Sequence, residues 1–251
     1  MVAIFFMAHQ YYRTKGIVLK KENRNEADQV FTIFTEKYGK IEVVGKAIRK
    51  ITSKLRASID IFYLTKIEFI QGKNQKILTD AILIDKFNSQ KQNPEACGVA
   101  FQIAEMVDSL IIREQADRDI WYLLVEFFFY FESLKLKIIP LLFFWKLVDL
   151  LGYKPELFYC PLCKKKLLAE KLFFAFDPGG VICRGCLDKN SEPLIIQEID
   201  SATIKALRLF IADPIEKIER LAFKEREIEN IQRLSASCLA FLKEGVGSRR
   251  G

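Results

Sequence analysis

The first third of the chain carries apolar residues in short alternating runs. Alternation at every second position places one face of a strand against a core and leaves the other in solvent. The clearest run covers residues 58–70, in which one face holds Ile59, Ile61, Tyr63, Ile67 and Phe69. The pattern predicts five strands, at 13–20, 29–35, 41–47, 58–70 and 76–84. Five short strands without a strong helix among them favour a small closed barrel.

The apolar period changes after Asn93-Pro94, where three- and four-residue spacing replaces alternation. This spacing is typical of amphipathic helices. It predicts helices at 95–112, 117–134, 140–151, 201–211 and 226–242. Between the third and fourth helices, the Gly179-Gly180 turn joins two short β segments. We therefore expect an α+β multidomain protein, with a β domain at 1–90 and a helical domain at 91–251.

Two CxxC pairs lie inside the helical part. Cys160 and Cys163 form the first pair, and Cys183 and Cys186 form the second after nineteen intervening residues. This spacing is typical of a four-thiolate zinc site, in which two turns complete one tetrahedron. A closed four-sulfur site leaves no position for substrate, so we expect one structural Zn²⁺ per chain, in a ribbon at about 157–190. Two disulfides, two buried thiol pairs or a redox CxxC are the alternatives.

The net charge of +7 is concentrated near the start of the chain. The first 80 residues hold 15 Lys and Arg against 8 Asp and Glu, whereas the remainder holds 24 of each. This asymmetry indicates a polyanion-binding module joined to a neutral body. A solvated basic face that only maintains solubility is the alternative.

One stretch between two predicted strands contains five cations and no acidic residue. It runs from residue 46 to 56 and holds Lys46, Arg49, Lys50, Lys54 and Arg56. Cationic loops beside small barrels track the nucleic-acid backbone. If all five cations contact phosphates of a single strand, a plot of log affinity against log salt concentration has a slope of about −3.5. The aromatic residues considered for base stacking are Phe31, Phe34, Tyr38, Phe62 and Tyr63.

Residues typical of catalysis are scarce. His9 is the single histidine of the chain, so a histidine-based triad is not expected, and no phosphate-binding glycine loop is present. The apolar run at 121–151 is interrupted by charges and Pro140, and the first residues lack the features of a signal peptide. We therefore expect a protein that is not an enzyme, does not enter a membrane and lies in the reducing cytoplasm.

Several segments, taken in order, resemble the bacterial RecO family of recombination mediators and DNA-repair proteins. The most distinctive are GKAIRK at 45–50, SKLR at 53–56 and IDIF at 59–62. They are preceded by RTKGIVL at 13–19, NEADQVFTIFT at 25–35 and YGKI at 38–41. The segment 174–186, with its Gly-Gly before the second CxxC, is similar to the zinc-bearing members. The resemblance covers nearly the whole chain from residue 13.

The resemblance implies an N-terminal five-stranded OB-fold followed by a helical domain with an inserted four-cysteine zinc ribbon. It implies no enzymatic activity. Members bind single- and double-stranded DNA, anneal complementary strands and, with the partner RecR, help load RecA onto DNA covered by single-strand-binding protein (SSB), whose C-terminal tail they contact. Lys46, Arg49, Lys50, Lys54 and Arg56 would contact phosphates, joined by Lys40. An RNA-binding protein of the translation or transcription machinery, a role in which barrels and zinc ribbons are common, is the alternative.

Overall fold

The computed structural model describes residues 10–87, 93–111, 114–132, 135–168, 171–189 and 194–247. It divides into two compact units, Met1–Phe129 and Tyr130–Gly251. The first unit therefore contains the predicted β domain together with the first two helices, and the second contains the ribbon and the remaining helices.

Five strands close into a barrel in the first unit. They are β1 (Tyr11–Arg24), β2 (Asp28–Thr35), β3 (Gly39–Gly45), β4 (Leu64–Gln71) and β5 (Lys76–Asp85). The strand order is β1-β2-β3-β5-β4, with β1 pairing antiparallel to β4 to complete the closure. Only the β3–β5 pair is parallel among these strands. The predicted five-stranded barrel is confirmed.

The barrel core is built from the inward positions of these strands. Phe31, Ile33 and Val43 are fully buried, and Ile67 and Phe69 face them from β4. Burying one such side chain contributes roughly 1.5–3 kcal/mol relative to leaving it exposed. The apolar alternation that predicts the strands is therefore also what holds the barrel together.

The fourth strand is shorter than predicted. It begins at Leu64, whereas the apolar alternation placed its start at residue 58. Residues Lys54–Ala57 form a 3₁₀ turn, and a second turn is closed by the Tyr63 amide, which donates to the Asp60 carbonyl. Phe62 has a φ of +63°, a left-handed conformation that interrupts the alternation of an extended chain. The prediction that 58–70 is one strand was therefore wrong for its first six residues.

Helices α1 (Pro94–Leu110) and α2 (Arg118–Phe129) complete the first unit. Asn93 caps α1, because its side chain accepts a hydrogen bond from the Glu95 amide, and Pro94 occupies the first turn. Phe101 of α1 contacts the Phe62 ring edge-on, with 4.8 Å between ring centroids. Both helices agree with the predicted ones within a few residues over the described part of the chain.

The second unit combines helices with a three-stranded sheet. Its helices are α3 (Ile139–Leu150), α4 (Arg184–Lys189), α5 (Ser201–Ala212), α6 (Ile215–Glu219) and α7 (Glu225–Gly247). Strands β6 (Leu172–Ala175), β7 (Gly180–Cys183) and β8 (Ile196–Ile199) form the sheet in the order β7-β6-β8. Trp145 of α3 is fully buried and donates its indole N–H to the Ser235 hydroxyl of α7 at 2.9 Å. A helical domain with an inserted ribbon is confirmed.

None of the helices within the described residues combines the length and the apolar character needed to cross a membrane.

Asp200 caps the first turn of α5, and this cap gives the first testable prediction. Its carboxylate accepts hydrogen bonds from the amide and the hydroxyl of Thr203, at 2.7 and 2.6 Å, and these bonds hold its pKa below the ordinary value. We expect Asp200→Ala to lower the free energy of unfolding by about 1 kcal/mol near neutral pH. Because the folded-state pKa is lowered, the difference persists above the ordinary carboxyl pKa and shrinks as pH falls through the folded value. Urea unfolding at several pH values measures it.

Candidate nucleic-acid interface and metal centre

The basic loop, residues 46–56, joins β3 to the turns before β4 and is attached to the barrel by apolar side chains. Ile48 is 1% exposed and belongs to the barrel core, and Leu55 packs against the same core. Ile59, just after the loop, is also buried there. Apolar anchors within a loop limit its conformational freedom, so the backbone that carries the charged residues has a defined path.

Hydrogen bonds hold the start of the basic loop against the β1–β2 turn. The Ala47 amide donates to the Asp28 carboxylate at 2.7 Å, and the Arg49 amide donates to the Ala27 carbonyl at 3.0 Å. The Arg49 guanidinium also donates to the Glu26 carbonyl at 3.0 Å. Asp28 thus has a structural role, and Arg49 contributes both charge and attachment.

All five cations of the basic loop are exposed. None of them forms a salt bridge within the described part of the chain. A group of unpaired cations on a fixed loop produces a positive potential that attracts polyanions. The structure therefore brings together, on one loop, the residues Lys46, Arg49, Lys50, Lys54 and Arg56.

Lys40 lies apart from this group. Its ammonium forms an ion pair with the Asp108 carboxylate at 2.8 Å, and it also contacts the Asp108 carbonyl. The Lys40 side chain is 14% exposed. Because its charge is already matched and largely covered, the structure favours a role in joining β3 to α1.

The aromatic residues considered for base stacking lie mostly in the core. Phe31, Phe34 and Phe62 are fully buried, so these three candidates are core residues. Tyr38 packs edge-on against Tyr12 and Phe69. Tyr63 is half-buried, with the Lys86 ammonium 6.0 Å from its ring centre. The basic loop therefore offers charge without an adjacent exposed aromatic ring from this set.

The four cysteines of the two CxxC pairs converge in the second unit. Their Sγ atoms all lie within 4.8 Å of one another, and 3.8 Å separates those of Cys163 and Cys183. A tetrahedral ion with metal–sulfur bonds of about 2.3 Å requires sulfur–sulfur distances of about 3.8 Å. The arrangement fits one ion with four thiolate ligands. Because both pairs direct their sulfur atoms to a common point, two separate disulfides are not needed to explain the spacing of the four cysteines.

Backbone hydrogen bonds build the first cysteine turn. The Lys164 amide donates to the Cys160 carbonyl at 2.8 Å, and the Cys160 amide donates to the Lys165 carbonyl at 2.9 Å. Lys164 has a φ of +61°, which reverses the chain after Cys163. The second pair is placed differently, with Cys183 at the end of β7 and Cys186 in the first turn of α4.

The thiols of the cluster differ in acidity. Burial raises the pKa of Cys160, but the amides of Cys163, Cys183 and Leu162 stabilise its thiolate and bring the pKa to about 7. Burial, followed by the neighbouring thiols, raises the pKa of Cys186 to about 12. Metal ligands are thiolates, so an ion entering this cluster displaces protons. Metal binding at this cluster should therefore weaken as pH falls.

Two residues that sequence reasoning did not identify position the first cysteine turn. The Glu156 carboxylate accepts hydrogen bonds from the Phe158 and Tyr159 amides at 2.8 and 3.1 Å. The Arg208 guanidinium donates to the Leu157 carbonyl and lies 4.2 Å from the centre of the Phe158 ring. Arg208 belongs to α5, far along the chain, so no local sequence signal could have connected it to the cysteines.

Comparison with known proteins identifies both parts of the chain. The family model described as "Recombination protein O N terminal" matches residues 7–87, and "Recombination protein O C terminal" matches residues 91–249. A curated protein of Desulfitobacterium hafniense, named DNA repair protein RecO, is 26% identical over 224 residues, covering 89% of this chain and 82% of that protein.

Relatives from other bacteria give the same result. The DNA repair protein RecO of Dehalococcoides mccartyi is 26% identical over 93% of this chain and 91% of its own length. That of Roseiflexus sp. is 29% identical over 84% of this chain and 73% of its own length. Since the two family models together match nearly the whole chain, and the C-terminal model alone matches more than half, the chain belongs to the RecO family.

Proposed function

We propose that this protein is a non-enzymatic recombination mediator that anneals complementary single strands of DNA. With RecR it helps to load RecA onto single-stranded DNA covered by SSB. A role in DNA repair follows from membership of the RecO family. The observation that carries the finer proposal is the basic loop, which holds five exposed cations in fixed positions on a closed barrel.

The mechanism is electrostatic. Two single strands repel each other through their phosphates, and cations that neutralise phosphate charge lower this repulsion. A loop anchored by Ile48 and Leu55 keeps its cations together, so that they do not have to be gathered when DNA binds. Strands held with reduced repulsion can then pair through their bases. The protein supplies no chemical step, which agrees with a site made of lysine and arginine side chains alone.

We propose Zn²⁺ as the ion of the cysteine cluster, in a structural role. Four thiolates in a tetrahedral arrangement suit zinc, although iron–sulfur sites use the same ligands. The cluster packs against Phe173, Ala175 and Ile182 of the ribbon sheet, so an ion there would join the two cysteine turns to the sheet. With four protein ligands the ion keeps no position for substrate.

The remaining partners are proposals that rest on the family. We propose that the helical domain contacts RecR and the C-terminal tail of SSB, and that the protein acts on DNA of the cytoplasmic nucleoid. Because the loop cations belong to the barrel and the proposed protein contacts to the helical domain, DNA binding and partner binding should respond to different substitutions.

Strand annealing tests the proposed function. We expect Lys50→Glu/Lys54→Glu to slow annealing of two complementary fluorescent oligonucleotides by about 25-fold or more near 0.1 M salt, because two phosphate contacts are lost and two repulsive charges are added. Arg49 is left unchanged, since its guanidinium also binds the Glu26 carbonyl. The measurement is the annealing rate with and without SSB, at two salt concentrations.

The matched control is Lys205→Glu/Lys224→Glu, which makes the same change in net charge at two exposed lysines of the second unit. We expect this variant to anneal at the wild-type rate. If both variants slow annealing equally, net charge and not the basic loop governs the reaction. If structured RNA displaces single-stranded DNA from the wild-type protein, the RNA-binding alternative replaces the mediator proposal.

A further inference from the structure

The first cysteine turn stands at the end of a small hairpin. Tyr159 and Lys166 are paired across its two antiparallel segments. The Leu167 amide donates to the Phe158 carbonyl at 3.0 Å, and the Cys160 amide donates to the Lys165 carbonyl at 2.9 Å. Residues 158–160 and 165–167 therefore form a hairpin whose tip carries Cys163.

The two faces of this hairpin differ in character. Cys160 is fully buried and points into the cluster, so by alternation Tyr159 and its partner Lys166 point outward. The Tyr159 side chain is 50% exposed, and Leu168, two residues beyond Lys166, is 67% exposed. Within the described residues, no hydrogen bond or ring contact occupies the Tyr159 side chain. One aromatic face is thus open to solvent beside a lysine.

Three consecutive lysines follow the hairpin tip, and Lys166 lies opposite Tyr159 on the outward face. Lys164, Lys165 and Lys166 are all exposed, and none forms a salt bridge within the part of the chain that the structure describes. Among residues 153–168 the one carboxylate is that of Glu156, and it accepts hydrogen bonds from the Phe158 and Tyr159 amides. Asp188 is paired with Arg184. Residues 153–168 therefore carry a net positive charge, although the helical part as a whole is neutral in composition.

We propose that this surface is a second site for single-stranded DNA, in which Tyr159 stacks on a base and Lys164, Lys165 and Lys166 contact phosphates. The inference rests on the proposed function, since single-stranded DNA is the ligand of both surfaces. The ribbon site adds what the basic loop lacks, an exposed aromatic ring. Stacking on such rings is tolerant of base identity, which suits a protein that handles any sequence.

The chemistry of the surface favours nucleic acid over a protein partner. Tyrosine is enriched at protein interfaces, but lysine is depleted there. An exposed aromatic ring bordered by unpaired cations matches the platforms that bind single strands. The other ring of the hairpin, Phe158, is also exposed, but the Arg208 guanidinium already covers one of its faces.

A metal ion in the ribbon would support DNA binding by holding the hairpin that carries Tyr159. The ion would fix Cys160 and Cys163 at the tip of the hairpin, whose two segments place Tyr159 opposite Lys166. A protein with two surfaces for single strands can hold one strand on each, which raises the local concentration of one strand near the other. This provides a route to annealing that charge neutralisation on one loop does not.

The test uses the full-length, zinc-loaded protein and an oligothymidine probe. We expect Lys164→Gln/Lys165→Gln/Lys166→Gln to make the log affinity against log salt slope shallower by about 2.1, which corresponds to three phosphate contacts. Tyr159→Ala should weaken binding by between about 5-fold and 150-fold with little change in slope, whereas Tyr159→Phe should bind like the wild type because the ring is kept. Metal analysis verifies one zinc per chain in each variant.

The control for charge is Lys205→Gln/Arg220→Gln/Lys224→Gln, three exposed cations elsewhere in the second unit, which should leave the slope unchanged. An unaltered slope in the 164–166 variant together with unaltered affinity in Tyr159→Ala overturns the inference. If these variants instead lose binding to a protein partner while DNA binding is normal, the surface belongs to that partner. Variants of the basic loop, titrated alongside, report on the proposed function independently.

Discussion

Replacing Lys46, Lys50, Lys54 and Arg56 by glutamine should make the salt dependence of single-strand binding shallower by about 2.8 in log–log slope. Each lost phosphate contact on a single strand removes about 0.7 from the slope. Near 0.1 M salt the same change corresponds to roughly a 600-fold loss of affinity. All four side chains are exposed and unpaired within the described residues, so their removal should leave the barrel intact. Arg49 is retained because it anchors the basic loop through the Glu26 carbonyl.

A matched control exists on the same barrel. Lys15, Lys37, Lys66 and Lys73 are also exposed and form no salt bridge among the described residues. Replacing these four lysines by glutamine changes the net charge equally, and we expect the slope and the affinity to remain close to those of the wild type. An equal loss in both variants would show that DNA responds to the overall charge of the unit. The basic loop would then have no special part in binding.

The barrel could be predicted because its signal is local and repeated. Each strand carries its own alternation, and the turns at Tyr38-Gly39 and Gly72 separate the strands. The start of β4 could not be predicted in the same way, since the residues from 58 to 63 alternate like a strand but fold as turns. Ile59 and Phe62 are both buried. Residues three positions apart point to opposite faces of a regular strand, so burying both in the core requires a turn and overrides the local pattern.

Among the residues of the candidate sites, those defined by a local sequence pattern could be predicted, and those that depend on contacts with distant segments could not. The convergence of the four cysteines was predictable, because a CxxC turn is a local structure and two such turns at this spacing indicate a common site. The role of Lys40 was not, since Asp108, which neutralises it, lies on a helix 68 residues away. The anchoring of the basic loop by the β1–β2 turn is likewise a contact between distant segments. Sequence reasoning also found no significance in Tyr159, whose exposure depends on the hairpin.

Removal of one cysteine of the proposed zinc site is expected to have the largest structural effect. In Cys163→Ser the serine hydroxyl is a poor replacement for a thiolate, so the zinc content should fall from about one per chain to near zero. Structural zinc contributes apparent binding free energies of roughly 10–16 kcal/mol to small zinc domains, and a comparable share of ribbon stability should disappear. Cys160 would then be buried beside Phe173 and Ile182 without the ion that holds its turn. Metal analysis and limited proteolysis of the ribbon measure both effects.

The outcome for DNA binding separates the two proposed surfaces. In Cys163→Ser the hairpin that carries Tyr159 loses its support, so the phosphate contacts of the three ribbon lysines should be lost. The slope of log affinity against log salt should then become shallower by about 2.1. The phosphate contacts of the basic loop should remain in this variant. Adding the four loop substitutions should therefore make the slope shallower by a further amount of about 2.8. Cys97→Ser is the control, since that thiol lies in α1 outside the cluster and the variant should retain its zinc. Full zinc occupancy in Cys163→Ser would contradict the four-cysteine ligand set, because a closed tetrahedral site cannot lose a thiolate and keep its affinity.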